Sequence, residues 1–347
     1  MCFLICIKNN THIFVKNNFN KIDMAKTDKI LGLGNALVDI MTKLESDNLL
    51  KELNLPKGSM QLVDSNTSTD IINKTNKLQK TLTSGGSAAN TIHGLAILGV
   101  NTGFIGKVGN DKMGDFFMSD MKDSGIKPQL LKSQTPTGKA IALVSPDSER
   151  TFATYLGAAV ELTADDLNQD MFIGYKYFHI EGYLVQNHKL IEESIKMAKK
   201  EGLKVSLDLA SYNVVEDNLD FLQRIVSDYV DIVFANEEEA KSFTGKEPDE
   251  ALDIIGEMCE IAVVKIGKDG SLIKVNNITY KSGVIDANRV DTTGAGDLYA
   301  AGFLYGLINN ETMTKCGDLG ALLAGKVIET MGAKITKDGW DFIKDNI

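Results

Sequence analysis

Arginine is nearly missing from this chain: Arg150, Arg224 and Arg289 are the only three among 347 residues. Acidic residues outnumber basic ones, 47 to 37, giving a net charge of −10. A general nucleic-acid or anionic-membrane binder needs a positive field to offset phosphate repulsion, so neither partner is expected. A local phosphate site stays open, because backbone amides and one or two cations suffice to build it. Cysteine is scarce as well. Cys2, Cys6, Cys259 and Cys316 are scattered without a CxxC pair, and the four histidines do not cluster with them. That pattern argues against a disulfide framework or a zinc site and for a reducing, cytoplasmic setting. The apolar run Cys2 to Ile7 is too short for a signal-peptide core or a membrane span. A Lys/Asn-rich stretch follows it, so residues 1–23 are expected to be a disordered extension and 24–347 the folded domain.

What is present is a regular alternation of short apolar runs and amphipathic segments. Strands are expected at Lys29 to Gly34, Ser59 to Val63, Gly103 to Val108, Tyr177 to Ile180, Lys204 to Leu207, Tyr229 to Phe234 and Ile261 to Ile266. Helices are expected at Ser87 to Leu98, Lys112 to Ser124, Lys189 to Glu201, Glu237 to Phe243, Asp297 to Ile308 and Lys315 to Thr330. Such alternation indicates an α/β fold: a three-layer αβα sandwich around a mostly parallel sheet, with ligands beyond the carboxyl ends of the strands. Lys139 to Val144 and Arg150 to Ala158 have little core-like apolar density. They read as a small β lid formed by about 41–64 and 132–158.

The chemistry concentrates in Asp291-Thr292-Thr293-Gly294-Ala295-Gly296-Asp297, which runs straight into an apolar helix. Glycines around a small residue leave backbone N–H groups uncovered, and with the positive helix end they form an anion hole. A carboxylate beside such a hole can take a proton from an alcohol while the amides hold charge on a phosphoryl group. The plain alternative is a glycine turn with Asp297 as the helix N-cap. Asp39, at the end of the first strand region, suits a diol. Arg150 offers a guanidinium fork fit for a phosphate. Gly320 to Lys326 has P-loop spacing, but Val327 replaces the required hydroxyl residue and no strand feeds it.

Taken in series, these segments resemble the PfkB, or ribokinase-like, family of carbohydrate and nucleoside kinases. Gly85-Gly86-Ser87-Ala88-Ala89-Asn90, Gly106 to Gly114, Asn236-Glu237-Glu238-Glu239, Val264 to Gly270 and Asp291 to Asp297 are similar to its motifs, in family order. The resemblance implies ATP and Mg²⁺, with a monovalent cation left open, and a small-molecule acceptor bound by a monomer or homodimer. It implies that Asp297 is the base and that Gly294, Ala295 and Gly296 are the anion hole, with Arg150 on the γ-phosphate. Asn236 and Glu239 would organise hydrated magnesium, Glu239 through water. Gly267 and Gly270 would let the backbone approach the nucleotide. Lys265 stands in that nucleotide stretch where the family often has a small polar residue.

Asp39 would grip sugar hydroxyls with Asn35, Gly85, Gly86 and Asn90. Gly34-Asn35-x-Leu37-x-Asp39 and Glu149-Arg150-Thr151 leading to Leu156-Gly157-Ala158-Ala159 look like the adenosine kinase branch. In that match Leu37, Leu62, Phe152 and Tyr183 line an apolar slot for a purine. The expected reaction is phosphorylation of a primary hydroxyl, the 5′-hydroxyl of adenosine or a related nucleoside. A kinase of ribose, fructose or a keto-sugar acid and a non-catalytic nucleoside sensor are the competing readings.

Overall fold

A computed structural model describes residues 29–147 and 149–347. The expected extension, residues 1–23, lies outside them. The first strands are β1 (Lys29–Leu33), β2 (Leu37–Lys43), β3 (Met60–Leu62), β4 (Lys80–Gly85), β5 (Asn101–Gly109), β6 (Ile126–Ser133), β7 (Gly138–Val144) and β8 (Arg150–Tyr155). Then come β9 (Tyr177–Glu181), β10 (Lys204–Asp208), β11 (Ile232–Asn236), β12 (Ile261–Lys265), β13 (Ser271–Val275) and β14 (Ile278–Ser282). The large sheet has nine strands in the order β14-β13-β12-β11-β10-β9-β1-β5-β6. From β12 to β6 every pairing is parallel, and β13 and β14 add an antiparallel edge.

Successive residues of the central strands enter opposite cores. Ile30, Phe104 and Val263 pack on one face, their neighbours Leu31, Ile105 and Val264 on the other. A parallel sheet buried on both sides therefore reads as continuous apolar runs rather than alternation. Helices Ser87–Ile97 and Ala295–Ile308 cover the first face; His188–Lys200 and Leu219–Tyr229 cover the second. This is the expected three-layer αβα architecture. Among the described residues no helix is long and apolar enough to cross a membrane.

The second sheet has five strands, in the order β3-β8-β7-β2-β4. It differs from the sequence expectation in membership: β2 begins at Leu37, β4 joins at Lys80–Gly85, and β6 belongs to the large sheet. The strand expected at Lys29 to Gly34 ends at Leu33, and at Gly34 the chain leaves one sheet for the other. A Cβ on Gly34 would lie 2.4 Å from Glu181 Oε2 and 2.8 Å from Ala88 Cβ, so glycine leaves room here for that carboxylate. The strand expected to run to Ala158 stops at Tyr155, and residues Gly157–Glu161 form a 3₁₀ turn. Tyr229, expected in a strand, closes helix Leu219–Tyr229 instead.

β1 is flanked by β9 on one side and β5 on the other, so its carboxyl end is the point where the strand order reverses. Parallel sheets open a crevice at such a point. The small sheet hangs over it, because β2 continues directly from β1.

Candidate active site

Helix Ala295–Ile308 is capped by Gly294, whose φ of 78° is left-handed, so Asp297 falls in its first turn. Asp297 is therefore not the N-cap. Its carboxylate reaches across to the start of helix Ser87–Ile97: Ser87 Oγ donates to Oδ1 at 2.7 Å and Asn90 Nδ2 to Oδ2 at 2.9 Å. Burial pushes the Asp297 carboxyl up to about 6, against the pull of those two hydrogen bonds. A carboxylate with that value is a stronger base than an exposed one and is still ionised at neutral pH.

The turn before Ser87 depends on Gly86. Its φ is 103°, and a Cβ there would lie 2.1 Å from the Asn35 carbonyl oxygen. Gly85 does not line the cleft; it makes room. A Cβ on it would fall 2.2 Å from Asp39 Oδ1, so the glycine lets that carboxylate lie against β4. Burial raises the Asp39 carboxyl to about 7; the Lys334 ammonium opposes this and the Asp297 charge adds to it. Lys334 itself is lowered to about 8 by burial, and its Nζ makes no hydrogen bond among the described residues.

Two residues here had no signal of their own in the sequence. Glu181 ends β9, 1% exposed, and accepts from Asn35 N at 2.9 Å, Asn35 Nδ2 at 2.6 Å and Ala88 N at 2.9 Å. It fixes both the loop after β1 and the helix start beside Asp297. Burial raises its carboxyl to about 7. Lys334 lies far along the chain in a segment with no motif. A glutamate after an apolar run ahead of Gly182 was the only available hint of the first, and nothing marked the second.

At the carboxyl ends of β10, β11 and β12 stand Asp208, Asn236 and Lys265. Asn236 caps helix Glu237–Thr244, with Glu239 N donating to its Oδ1 at 2.8 Å. Glu239 answers by accepting from Asn236 N at 2.8 Å and Asn236 Nδ2 at 2.7 Å. The two form a closed reciprocal cap, and burial raises the Glu239 carboxyl. Lys265 Nζ donates to Asp208 Oδ2 at 3.1 Å. Beyond β12, Gly267 (φ 53°) and Gly270 (φ 96°) shape the next turn.

Asp39, Glu181, Asp208, Asn236, Glu239, Lys265 and Asp297 line one cleft of about 1640 Å³. A pocket for one small ligand measures roughly 300–1,000 Å³, so the cleft has room for two. One end holds Asn35, Leu37, Asp39, Phe152 and Tyr183 under the small sheet. The other, not foreseen from the sequence, is walled by Val284, Ile285, Ala321, Ala324 and Gly325. Ala321, Ala324 and Gly325 come from the helix Met313–Val327 that carries the P-loop-like spacing; it is a helix interior and not a phosphate loop. Gly325 makes room for the Ile285 side chain, since a Cβ there would lie 2.2 Å from Ile285 Cγ1. Asp297 and the glycine turn join the two ends.

Arg150 opens β8 in the small sheet. Its guanidinium binds the Asp291 carboxylate and donates to Thr293 Oγ1 at 2.7 Å, so it ties the small sheet to the glycine turn and is not among the cleft-lining residues. Its other neighbour is Phe152, whose ring centroid lies 5.5 Å from the guanidinium carbon.

A two-ligand cleft that holds a buried carboxylate beside a glycine turn at a helix start is the layout of a group-transfer enzyme. Residues 62–338 match the family model described as pfkB family carbohydrate kinase, and the chain belongs to that family. A probable sugar kinase from Rhizobium etli superposes with a TM-score of 0.82 at 33% identity, covering 92% of this chain and 98% of that one. An adenosine kinase from Sinorhizobium meliloti gives 0.81 at 32% identity, covering 92% and 100%. The 5-dehydro-2-deoxygluconokinase of Geobacillus kaustophilus is 30% identical over 71% of this chain and 79% of its own length. The protein is a sugar or nucleoside kinase with the ribokinase-like fold.

Proposed function

We propose that this kinase transfers the γ-phosphoryl group of ATP to the 5′-hydroxyl of adenosine or a closely related nucleoside. The observation that supports the reading is the position of Asp297, which lines the same cleft as Asp39 and stands in the first helical turn after Gly294. In this reading the acceptor ribose lies on Asp39 and Asn35, and its base lies against Leu37, Phe152 and Tyr183. Tyr183 lines the cleft, is 40% exposed, and is anchored by its hydroxyl, which donates to the Ala210 carbonyl at 3.2 Å; in this reading its ring stacks on the base. Asp297 takes the hydroxyl proton while the amides of Gly294 to Gly296 hold the phosphoryl oxygens.

The site also fits a magnesium ion carried on the triphosphate. Among the described residues no group of three or more His, Cys, Asp or Glu is gathered for a metal, so nucleotide oxygens and water would supply most ligands. Glu239 would hold one such water, because each of its oxygens keeps a free lone pair beyond the cap. When bound, the ion neutralises charge on the transferring phosphate.

A free sugar or sugar acid is the second reading. The kinship with a 5-dehydro-2-deoxygluconokinase favours it. The test is kcat/KM for adenosine, ribose, fructose and 5-dehydro-2-deoxygluconate under one set of conditions. Adenosine is expected to exceed the others by about 5- to 150-fold, since stacking on an aromatic platform contributes about 1–3 kcal/mol. A sugar that matches adenosine overturns the nucleoside reading.

A further inference from the structure

Lys265 closes β12 and stands in register beside Asn236, the last residue of β11. Asp208 closes β10, and the Lys265–Asp208 pair is sheltered, the two side chains being 16% and 8% exposed. An ion pair placed there for stability alone gains little, because desolvation cancels most of the attraction. An ammonium carries three donors. Asp208 takes one, and the other two have no acceptor among the described residues.

Asp208 holds that ammonium beside Gly296. A Cβ built on Gly296 would stand 3.2 Å from Lys265 Nζ. The charge therefore touches the open face of the glycine turn, one residue from Asp297, and Lys265, Asp208, Gly296 and Asp297 all line the same cleft. Burial works against the charged lysine, yet the carboxylates of Asp208 and Glu239 outweigh it and raise its pKa. The ammonium is a permanent charge at neutral pH.

We propose that Lys265 is a catalytic cation of the transfer step, held in place by Asp208 and bound to oxygens of the phosphoryl group seated in the glycine turn. The inference rests on the kinase reading. In the step, the acceptor oxygen forms a bond to the γ-phosphorus as the bond from that phosphorus to the bridging oxygen of ADP breaks. The acceptor proton passes to Asp297, and ADP leaves with the electron pair. A fixed ammonium opposes the charge in this region without reorganising, which amides supply only in part. A point donor also suits oxygens whose positions change during transfer.

Calorimetric titration of ATP and AMP in EDTA tests this without metal or turnover. Lys265→Met is expected to weaken ATP at least tenfold and AMP less than twofold, because AMP lacks the terminal phosphates. Lys265→Gln keeps a donor for Asp208 and guards against loss of the fold; it is expected to show the same ATP-specific loss. Equal weakening of ATP and AMP, or unchanged ATP binding in either variant that melts normally, overturns the assignment. Failure of the wild-type protein to bind ATP at all overturns the kinase reading together with it.

Discussion

Arg150, the first residue of β8 in the small sheet, binds the carboxylate of Asp291, a side chain with no exposure to solvent. The same carboxylate accepts from Thr293 N at 2.6 Å and Gly332 N at 2.6 Å. One buried charge thus joins the lid, the glycine turn and the segment after helix Met313–Val327. Arg150→Ala leaves that charge with amides alone. Removing one partner of a buried pair costs on the order of 3–5 kcal/mol, and the two amides offset part of it. The urea midpoint is expected to fall, and the KM of the acceptor to rise, because the lid is no longer held to the core. An unchanged midpoint would show that the amides alone suffice.

Asp297→Asn is expected to lower kcat by at least ~10²-fold, the scale of a lost general base. In the wild type the rate is expected to fall as pH drops through about 6, where Asp297 takes up its proton. Stability runs the other way. The folded state holds this proton at pH values where the unfolded chain has released it, so ionisation above about 6 destabilises the fold. Asp297→Asn should melt higher than wild type at pH 8, and the difference should shrink toward pH 4. A variant that loses stability at pH 8 would falsify the burial argument.

Asp39 gives a prediction about acceptor hydroxyls. If its ionised carboxylate accepts from a diol, the acceptor KM rises as pH falls below about 7. Lys334 opposes the burial effect on Asp39, so Lys334→Met should move that limb to higher pH. Deoxy acceptors lacking one ribose hydroxyl should lose most of their efficiency in the wild type, since a buried polar group is left unpaired. Asp39→Ala should narrow the gap between ribo and deoxy substrates. Steady-state kinetics of the wild type and both variants from pH 6 to 9, with ribo and deoxy acceptors, checks all four.

Glu239 is expected to act on magnesium through the end of helix Glu237–Thr244. Glu239→Gln can keep the hydrogen bond from Asn236 N, so its melting temperature should change little. It should raise the Mg²⁺ concentration needed for half-maximal rate. Glu239→Ala also removes half of the reciprocal cap, at about 1 kcal/mol. A metal titration of the two variants separates the roles, and an unchanged half-maximal concentration in Glu239→Gln removes Glu239 from magnesium handling.

The sequence by itself determined the layers and most of their contents. Two-sided burial writes itself as unbroken apolar runs such as Ile261 to Val264, and glycines at positive φ, such as Gly86 and Gly294, mark turns no other residue makes easily. What it could not supply was any relation between side chains far apart in the chain. Glu181 is one acidic residue among 47 acidic ones. Only the return of β9 beside β1 brings it under Asn35 and Ala88. Arg150 reads as a phosphate ligand when taken alone and becomes a tie to Asp291 once β8 folds over the glycine turn. The lid strand β4 was missed for a related reason: Lys80–Gly85 is mostly polar, and its pairing with β2 rather than its own pattern makes it a strand. Lys265 ends an apolar strand, and its sequence gives no direction to its charge. The direction comes from the parallel order of β10, β11 and β12, which sets three strand ends side by side and leaves the ammonium between Asp208 and the bare face of Gly296.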